Sequence, residues 1–333
     1  MKTKLHSNLD EPVRRTRRSR ATAFATMAAL VLTGLAAAAL PARAETCEPC
    51  ATTARYVYNS DINEAQADYQ MALANASNEP TDAARSAARK KASVVLKEDK
   101  ESARAQFDER RDLCEDLGES RYNPVIKPAD FLTPAQTAAK PNRLFPLVPG
   151  TTFTYRSVGE EGTEIVTVQV TRETRVILGV TCIVVRDTVK VDGSIIEDTI
   201  DWYAQDRTGN VWYFGENTAE YEDGLITSLA GAWEAGVNNA RPGIAMLAQP
   251  TVGKVYRQEL SYGEAEDAAE VIALNETVRV AYGTFAGCLK TEDFTPLDPD
   301  SVEFKFYAPG VGNVLTLNPE TGKRSELISV VRR

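Results

Sequence analysis

The spacing of apolar residues divides the chain into three parts. Residues 21–40 carry no charge and follow five arginines between Arg14 and Arg20. Residues 52–118 are rich in Ala, Glu, Lys, Arg and Gln, with a single proline at Pro80. From Gly150 onward, short runs of β-branched and aromatic residues alternate with turn-forming pairs. These patterns predict a leader, a pair of helices and antiparallel strands, in that order.

The charge-free run has the outline of a secretory signal peptide. Ala42 and Ala44 supply the small residues of a cleavage site, so we expect a signal peptide over residues 1–44. The alternative is an uncleaved anchor, because about twenty apolar residues can just span a bilayer. Glu45 lies where a lipoprotein cleavage motif needs a small or apolar residue. We therefore expect an exported protein, periplasmic or extracellular, that contacts the membrane only through its leader before cleavage.

Residues 45–120 predict an α-helical hairpin. Pro80 lies in the turn, Thr81 is the expected N-cap of the second helix, and Gly118 is its expected end. Large apolar residues are sparse in both helices. The hairpin therefore needs a stabilising contribution beyond its own apolar contacts.

Cysteines offer that contribution, because an exported chain favours disulfides over metal thiolates. Cys47 precedes Pro80 by 33 residues and Cys114 follows it by 34. A bridge from Cys114 to Cys47 or Cys50 would therefore close the open end of the hairpin and contribute about 2–4 kcal/mol. The alternative is a redox-active pair formed by Cys47 and Cys50. The disulfide candidates are Cys47, Cys50, Cys114, Cys182 and Cys288.

Six prolines between Pro124 and Pro149 predict an extended linker over residues 121–140, followed by a β domain over residues 141–333. Asp192-Gly193 and Asp223-Gly224 are two-residue hairpin turns, and consecutive hairpins build an antiparallel meander. The predicted class is α+β, with the meander curled into a barrel or half-barrel. Cys182 and Cys288 would then either bridge the sheet or remain two buried thiols.

One cross-strand pair suggests a cation site. If the turn at Asp192-Gly193 sets the register, Asp187 lies opposite Asp198 on an apolar face. Opposed carboxylates are destabilising, and a bound cation would compensate for their repulsion. The alternative is a β-bulge that turns one carboxylate away. Asp187 and Asp198 are thus the candidate metal ligands, and we expect no cofactor other than Ca²⁺ at this pair.

The middle hairpins also gather aromatic residues. Flat rings beside acidic side chains would suit an apolar or sugar-like ligand. The alternative is an ordinary core, covered by residues 235–250 or by the helical hairpin. The candidate ligand-binding residues are Trp202, Tyr203, Trp212, Phe214 and Trp233.

Composition and charge argue against several classes of function. The only histidine is His6, so a chain cleaved after Ala44 has no imidazole for catalysis or zinc binding. Cleavage would leave 30 basic and 45 acidic side chains, a net charge of −15. That charge repels phosphate backbones, so we expect no nucleic-acid partner. The acidic run from Gly263 to Glu270 lacks the spacing of a calcium loop, and we expect it to form a solvated turn.

Three short runs carry a resemblance to a group of uncharacterised exported bacterial proteins. They are Phe145 to Thr152, Asp201 to Asp206 and Phe306 to Gly312, and the resemblance covers residues 141–333. More remotely, the last run is similar to the closing strands of curved sheets in envelope proteins related to lipoprotein carriers. That likeness implies a concave sheet able to hold an acyl chain. It supplies no catalytic residue.

These observations favour a secreted or periplasmic, envelope-associated binding protein whose β domain holds an apolar or carbohydrate ligand. One alternative is a glycan hydrolase that uses two carboxylates, which is chemistry that needs no histidine. Another is an acidic surface protein that binds cations. No motif selects a catalytic pair, so no catalytic residue is named and the interpretation leans away from an enzyme.

Overall fold

The computed structural model describes residues 49–118, 120–159 and 162–333. The predicted leader and Cys47 lie outside these residues. Two long helices open the described chain, α1 over Pro49–Ser77 and α2 over Asp82–Asp116. Thr81 caps α2 as predicted, since its hydroxyl oxygen accepts a hydrogen bond of 3.1 Å from the Ala84 N–H. Within the described ranges, no helix is long and apolar enough to cross a membrane.

Small residues form the contact between α1 and α2. Ala54, Ala65 and Ala76 are buried on α1, each eleven residues from the next. Ala92, Ala103 and Cys114 repeat the same interval on α2. Eleven residues make three helical turns, so each set lies along one face. This spacing lets two otherwise polar helices approach closely over their whole length.

A disulfide between Cys50 and Cys114 closes the open end of the hairpin. This confirms the predicted cross-link and resolves the choice of partner for Cys114. The bond also corrects the redox alternative, because Cys50 is joined to Cys114 and not to its neighbour Cys47.

The proline-rich segment is more ordered than an extended linker. It contains a 3₁₀ turn over Pro128–Asp130 and the short helix α3 over Pro134–Ala139. Thr133 and Gln136 form a capping box at the start of α3. Phe131, between the two, is buried against the sheet. This burial explains the order, because a hydrophobic anchor fixes the chain that prolines alone would leave extended.

The rest of the described chain is antiparallel sheet. The strands are β1 Thr151–Gly159, β2 Gly162–Ile177, β3 Val180–Val191, β4 Ser194–Gln205, β5 Val211–Glu222, β6 Leu225–Ser228, β7 Trp233–Glu234, β8 Arg241–Met246, β9 Val255–Arg257, β10 Glu259–Leu260, β11 Ala268–Val280, β12 Gly283–Thr295, β13 Asp298–Ala308, β14 Gly312–Leu317 and β15 Arg324–Arg332. Both predicted turns are hairpin turns: Asp192-Gly193 joins β3 to β4, and Asp223-Gly224 joins β5 to β6. All four of these residues have positive φ, which Asp and Gly tolerate.

The strands follow the order β10-β8-β5-β4-β3-β2-β1-β15-β14-β13-β12-β11-β9, with β6 and β7 also paired to β5. The predicted class, a helical hairpin followed by a large antiparallel sheet, is confirmed. The prediction of a barrel is wrong, because the end strands β9 and β10 do not pair and the sheet stays open. β9 pairs only with Ala268 to Glu270 of β11, whereas β12 pairs along the length of β11 with three register irregularities after Val271.

The main core lies where the two halves of the sheet face each other. It draws buried side chains from nearly every long strand, among them Phe153, Val170, Ile183, Val211, Val271, Leu289, Phe306, Val314 and Leu327. We call the surface that carries these side chains the inner face. A second core on the opposite side of β3, β4 and β5 contains Cys182, Val184, Trp202 and Phe214 and is covered by Phe131.

Candidate functional site

A cavity of about 950 Å³ lies where the start of α1 meets the segments around β7 to β10. Its wall combines rings and apolar side chains with both signs of charge. We call it the Arg257 cavity. Its wall includes Tyr122, Ala232, Trp233, Glu234, Arg241 and Arg257.

Arg257 is the most unusual residue of this wall. It is only 6% exposed, yet its Nε and Nη1 donate to no hydrogen-bond partner. Nη2 lies 3.9 Å from the Cys50 sulfur, and the guanidinium carbon lies 5.8 Å from the centre of the Tyr122 ring. Burial lowers the pKa of Arg257 and raises that of Tyr122 to about 12. The cavity wall thus contains a buried cation whose charge faces sulfur and an aromatic ring.

A neighbouring ion pair explains why Arg257 lacks an acidic partner. Arg110 of α2 donates two hydrogen bonds to Glu266, of 2.9 Å from Nε and 2.8 Å from Nη2. A third donor, Nη1, lies 3.2 Å from Asp61 of α1. The side chains of Arg110 and Glu266 are 4% and 1% exposed. The buried carboxylate of Glu266 therefore accepts its arginine hydrogen bonds from Arg110.

Glu266 also corrects an expectation about the acidic run. We expected Gly263 to Glu270 to form a solvated turn, but Glu266 is fully buried. Its Oε1 also accepts a hydrogen bond of 2.9 Å from the Gly263 N–H. The correction has a simple cause: Arg110, 156 positions earlier, supplies the opposite charge that makes burial tolerable.

The structure divides the five candidate aromatic residues among different surroundings. Trp202 and Phe214 are buried in the second core. Trp212 packs against that core and donates its indole N–H to Asp206 at 2.9 Å. Tyr203 lies on the inner face, stacked on Tyr213 with 4.6 Å between ring centres. The five residues therefore do not line one groove.

Trp233 is the member of that set that reaches the Arg257 cavity. It is 6% exposed, and its ring meets Tyr213 edge-on at 5.5 Å. It pairs with Glu216 across β7 and β5. Because β7 contains only two residues, the neighbouring short strands and turns also help to position Trp233.

A β-bulge separates the two candidate metal ligands. Lys190 pairs with Ile195, but Val189 pairs with Glu197, so Ile196 is the extra residue. Asp198 therefore lies opposite Thr188 on the outer face. There it accepts hydrogen bonds of 3.0 and 2.6 Å from Arg186.

Asp187, in contrast, lies opposite Thr199 on the inner face. The expected Asp187–Asp198 pair is thus not formed, and the bulge alternative is what the structure shows. The same shift brings Asp201 to the inner face, opposite Val185.

The inner face consequently carries carboxyl groups that hold protons tightly. Burial, reinforced by Asp201 and Glu197, raises the pKa of Asp187 to about 8. Burial and Asp201 raise the pKa of Glu216 to about 8. Burial also raises the pKa of Asp201 to about 6, although a hydrogen bond of 2.6 Å from the Tyr213 hydroxyl opposes the shift. Among the described residues, no three His, Cys, Asp or Glu side chains are arranged to hold a metal ion.

Cys182 and Cys288 are two separate buried thiols. Cys182 lies in the second core and Cys288 in the main core, so the alternative of a bridge across the sheet is not realised. Burial raises the pKa of the Cys182 thiol to about 12 and also raises that of Cys288.

Sequence reasoning missed Arg257 and Arg110. The sequence gives only a weak indication of Arg257. It directly follows Val255 and Tyr256 in β9, a strand whose three residues are all buried. A buried strand position is an uncommon place for arginine unless a partner or ligand compensates its charge.

Comparison with known proteins adds little to this description. No protein-family profile matches the sequence. No curated protein matches it either. A solved structure of a candidate lipoprotein from Parabacteroides distasonis aligns with 57% of this chain and 99% of its own, with 12% sequence identity and a TM-score of 0.31. A likeness at that level carries no argument about function, so the proposals below depend on the geometry of this chain.

Proposed function

We propose that the protein is a non-enzymatic, extracytoplasmic binding protein that holds a small ligand with an apolar or ring-bearing part in the Arg257 cavity. The observation that carries the proposal is the cavity itself. Its volume of about 950 Å³ is within the range of small-molecule sites. The rings of Trp233 and Tyr122 offer flat contact area, and a few charged groups offer orientation.

The Cys50–Cys114 disulfide supports the extracytoplasmic part of the proposal. Stable disulfides form in oxidising compartments and are rare in a reducing cytosol. The bond also contributes to the site directly, because it fixes the start of α1, whose Pro49, Cys50 and Thr53 form part of the cavity wall.

The cavity favours binding over glycan hydrolysis. Hydrolysis without histidine needs two carboxyl groups that share the acid and base roles. Two carboxylates line the cavity, Glu234 and Glu264. Glu234 is held by Arg175 at 2.5 Å, which leaves Glu264 without a partner for catalysis.

A neutral fluorescent probe, N-phenyl-1-naphthylamine, tests the proposal together with maltohexaose as a carbohydrate probe. We expect saturable binding of one of them to the purified protein, followed by probe or tryptophan fluorescence. Ala232→Phe places a ring in the cavity and should weaken that binding at least tenfold. Ala83→Phe, on the exposed surface of α2, is the matched control and should leave binding unchanged. Equal binding by both variants would overturn the proposal, and so would a lack of saturable binding of both probes and of every ten-carbon amphiphile, whatever its head group.

A further inference from the structure

The strongest unassigned feature of the molecule is the charge of Arg257. A buried guanidinium without hydrogen-bond acceptors is costly, since desolvation removes its water and nothing replaces it. Nε and Nη1 of Arg257 are in that situation, at 6% exposure of the residue. No Asp or Glu of the described residues lies within ion-pair distance of it. The folded chain therefore retains, in the cavity wall, a buried guanidinium with two unpaired donors.

Besides Arg257, the cavity wall contains two arginines and two carboxylates, and one of the carboxylates, Glu234, is held by Arg175. Arg121 and Arg241 also line the cavity. The N-terminus of α1 meets the same wall, and a 29-residue helix presents the positive end of its dipole there. Its first turn contains no acidic residue among those described. The charge of Glu266 acts to raise the pKa of Arg257, but the carboxylate accepts its hydrogen bonds from Arg110 and the Gly263 N–H.

Another part of the wall is apolar. Leu229, Ala232, Trp233, Val237 and Leu260 contribute to it. A ligand that satisfies both parts has an anionic group at one end and a hydrophobic body at the other. Planar oxyanions suit Arg257 in particular, because two adjacent guanidinium donors can bind two oxygens at once.

We propose that the Arg257 cavity binds an amphiphilic oxyanion, with the carboxylate or phosphate of the ligand on the guanidinium of Arg257 and its apolar body against Trp233 and Leu260. This inference depends on the proposed binding function and specifies its ligand class. It requires no change in the hairpin, since the Arg110–Glu266 pair stays intact when the ligand enters.

Four ten-carbon amphiphiles that differ only in the head group test the inference: decanoate, decyl phosphate, decyl maltoside and decyltrimethylammonium. Each is titrated below its critical micelle concentration by calorimetry, with inorganic phosphate and acetate as head groups alone. We expect one of the two anions to bind at least tenfold more tightly than the neutral and cationic compounds. Comparable affinity for inorganic phosphate would identify a free anion as the ligand and overturn the amphiphilic part of the inference.

Arg257→Gln removes the charge and should weaken binding of the anionic amphiphile about 30-fold or more. Arg257→Lys keeps the charge without the paired donors and should show an intermediate loss. Arg156→Gln, at an exposed position of β1, is the charge-matched control and should bind normally. The unliganded Arg257→Gln protein should also melt no lower than the parent, because a buried charge without acceptors has been removed.

The outcomes separate the two proposals. If the neutral amphiphile binds as tightly as the anions, and Arg257→Gln leaves all affinities unchanged, the anion inference fails while the binding function stands. If N-phenyl-1-naphthylamine, maltohexaose and all four amphiphiles fail to bind, both proposals fail. If Arg257→Gln melts well below the parent, Arg257 is a structural residue and the inference is overturned.

Discussion

Replacing Glu266 by Gln should destabilise the protein far more than a surface substitution of the same kind. The change leaves Arg110 with its charge but without the carboxylate that accepts its two hydrogen bonds of 2.8 and 2.9 Å. Asp61, at 3.2 Å, is 25% exposed and compensates only in part. Breaking a buried pair in this way costs about 3–5 kcal/mol. For a chain of this size, that cost corresponds to a drop in melting temperature of roughly 5–12 °C.

The measurement is a thermal or urea unfolding curve followed by circular dichroism, with the disulfide intact. Glu164→Gln is the matched control, because Glu164 pairs with Lys323 at 2.9 Å on the surface, with side chains 21% and 47% exposed. An exposed pair contributes about 0–1 kcal/mol. Replacing Arg110 and Glu266 together by Met should recover much of the loss, since neither charge remains buried.

The reasoning is refuted if Glu266→Gln costs no more than Glu164→Gln. It is also refuted if the double Met variant is as unstable as Glu266→Gln, because the loss would then come from packing and not from an uncompensated charge.

Three further predictions concern the disulfide, the inner face and a buried thiol. Replacing Cys50 and Cys114 by Ala should lower the free energy of unfolding by about 4 kcal/mol, given their separation of 64 residues; chemical denaturation measures this loss, and a loss under 1 kcal/mol would contradict it. Asp187 and Glu216 have pKa values raised to about 8, so the native state binds more protons than the unfolded state between about pH 4 and pH 8. The contribution of these two groups to stability should be fullest below about pH 4 and decrease as the pH rises towards 8, and Asp187→Asn or Glu216→Gln should reduce this decrease in unfolding curves taken at several pH values. Cys182 should not react with Ellman's reagent in the native protein at pH 8, because burial raises its pKa to about 12; rapid labelling before unfolding would show that it is accessible.

Local signals were enough to predict the helical hairpin and its cross-link. Pro80 and Thr81 mark the turn within a few residues, and the hairpin geometry then places Cys114 near Cys47 and Cys50, between which only the structure decides. The eleven-residue interval of alanines is also visible in the sequence and marks the helix faces that are buried in the structure. These features depend on contacts between two helices joined by a single short turn. In such a hairpin, the distance of a residue from the turn along the sequence determines which residue lies beside it.

In the sheet, local signals predict the turns but not the register inside the strands. The turn at Asp192-Gly193 was predicted correctly, but the bulge at Ile196 exchanges the two faces of β4. That exchange lets Asp198 meet Arg186 and lets the Tyr213 hydroxyl reach Asp201. The second of these partners belongs to β5, and its influence on register is invisible in the hairpin sequence alone.

The candidate site depends even more on long-range contacts. Glu266 is engaged by Arg110, a residue 156 positions away on a helix, and Arg257 forms no ion pair among the described residues. The sequence of β9 does not indicate whether Glu266 pairs with Arg257 or with Arg110. Trp233 was predicted from the expected order of the strands, but the structure places it in the wall of the Arg257 cavity and not in a groove with the other four candidate residues.

The irregular pairing of β11 has a consequence for how this molecule behaves in a crowded compartment. Beyond Glu270, one side of β11 has no strand beside it in the described sheet, and such an edge can recruit a strand from another molecule. Three register irregularities between Val271 and Val278 distort the row of amide and carbonyl groups that an incoming strand would need. An unclosed sheet of this size can therefore stay free of intermolecular strand addition and the aggregation that follows from it.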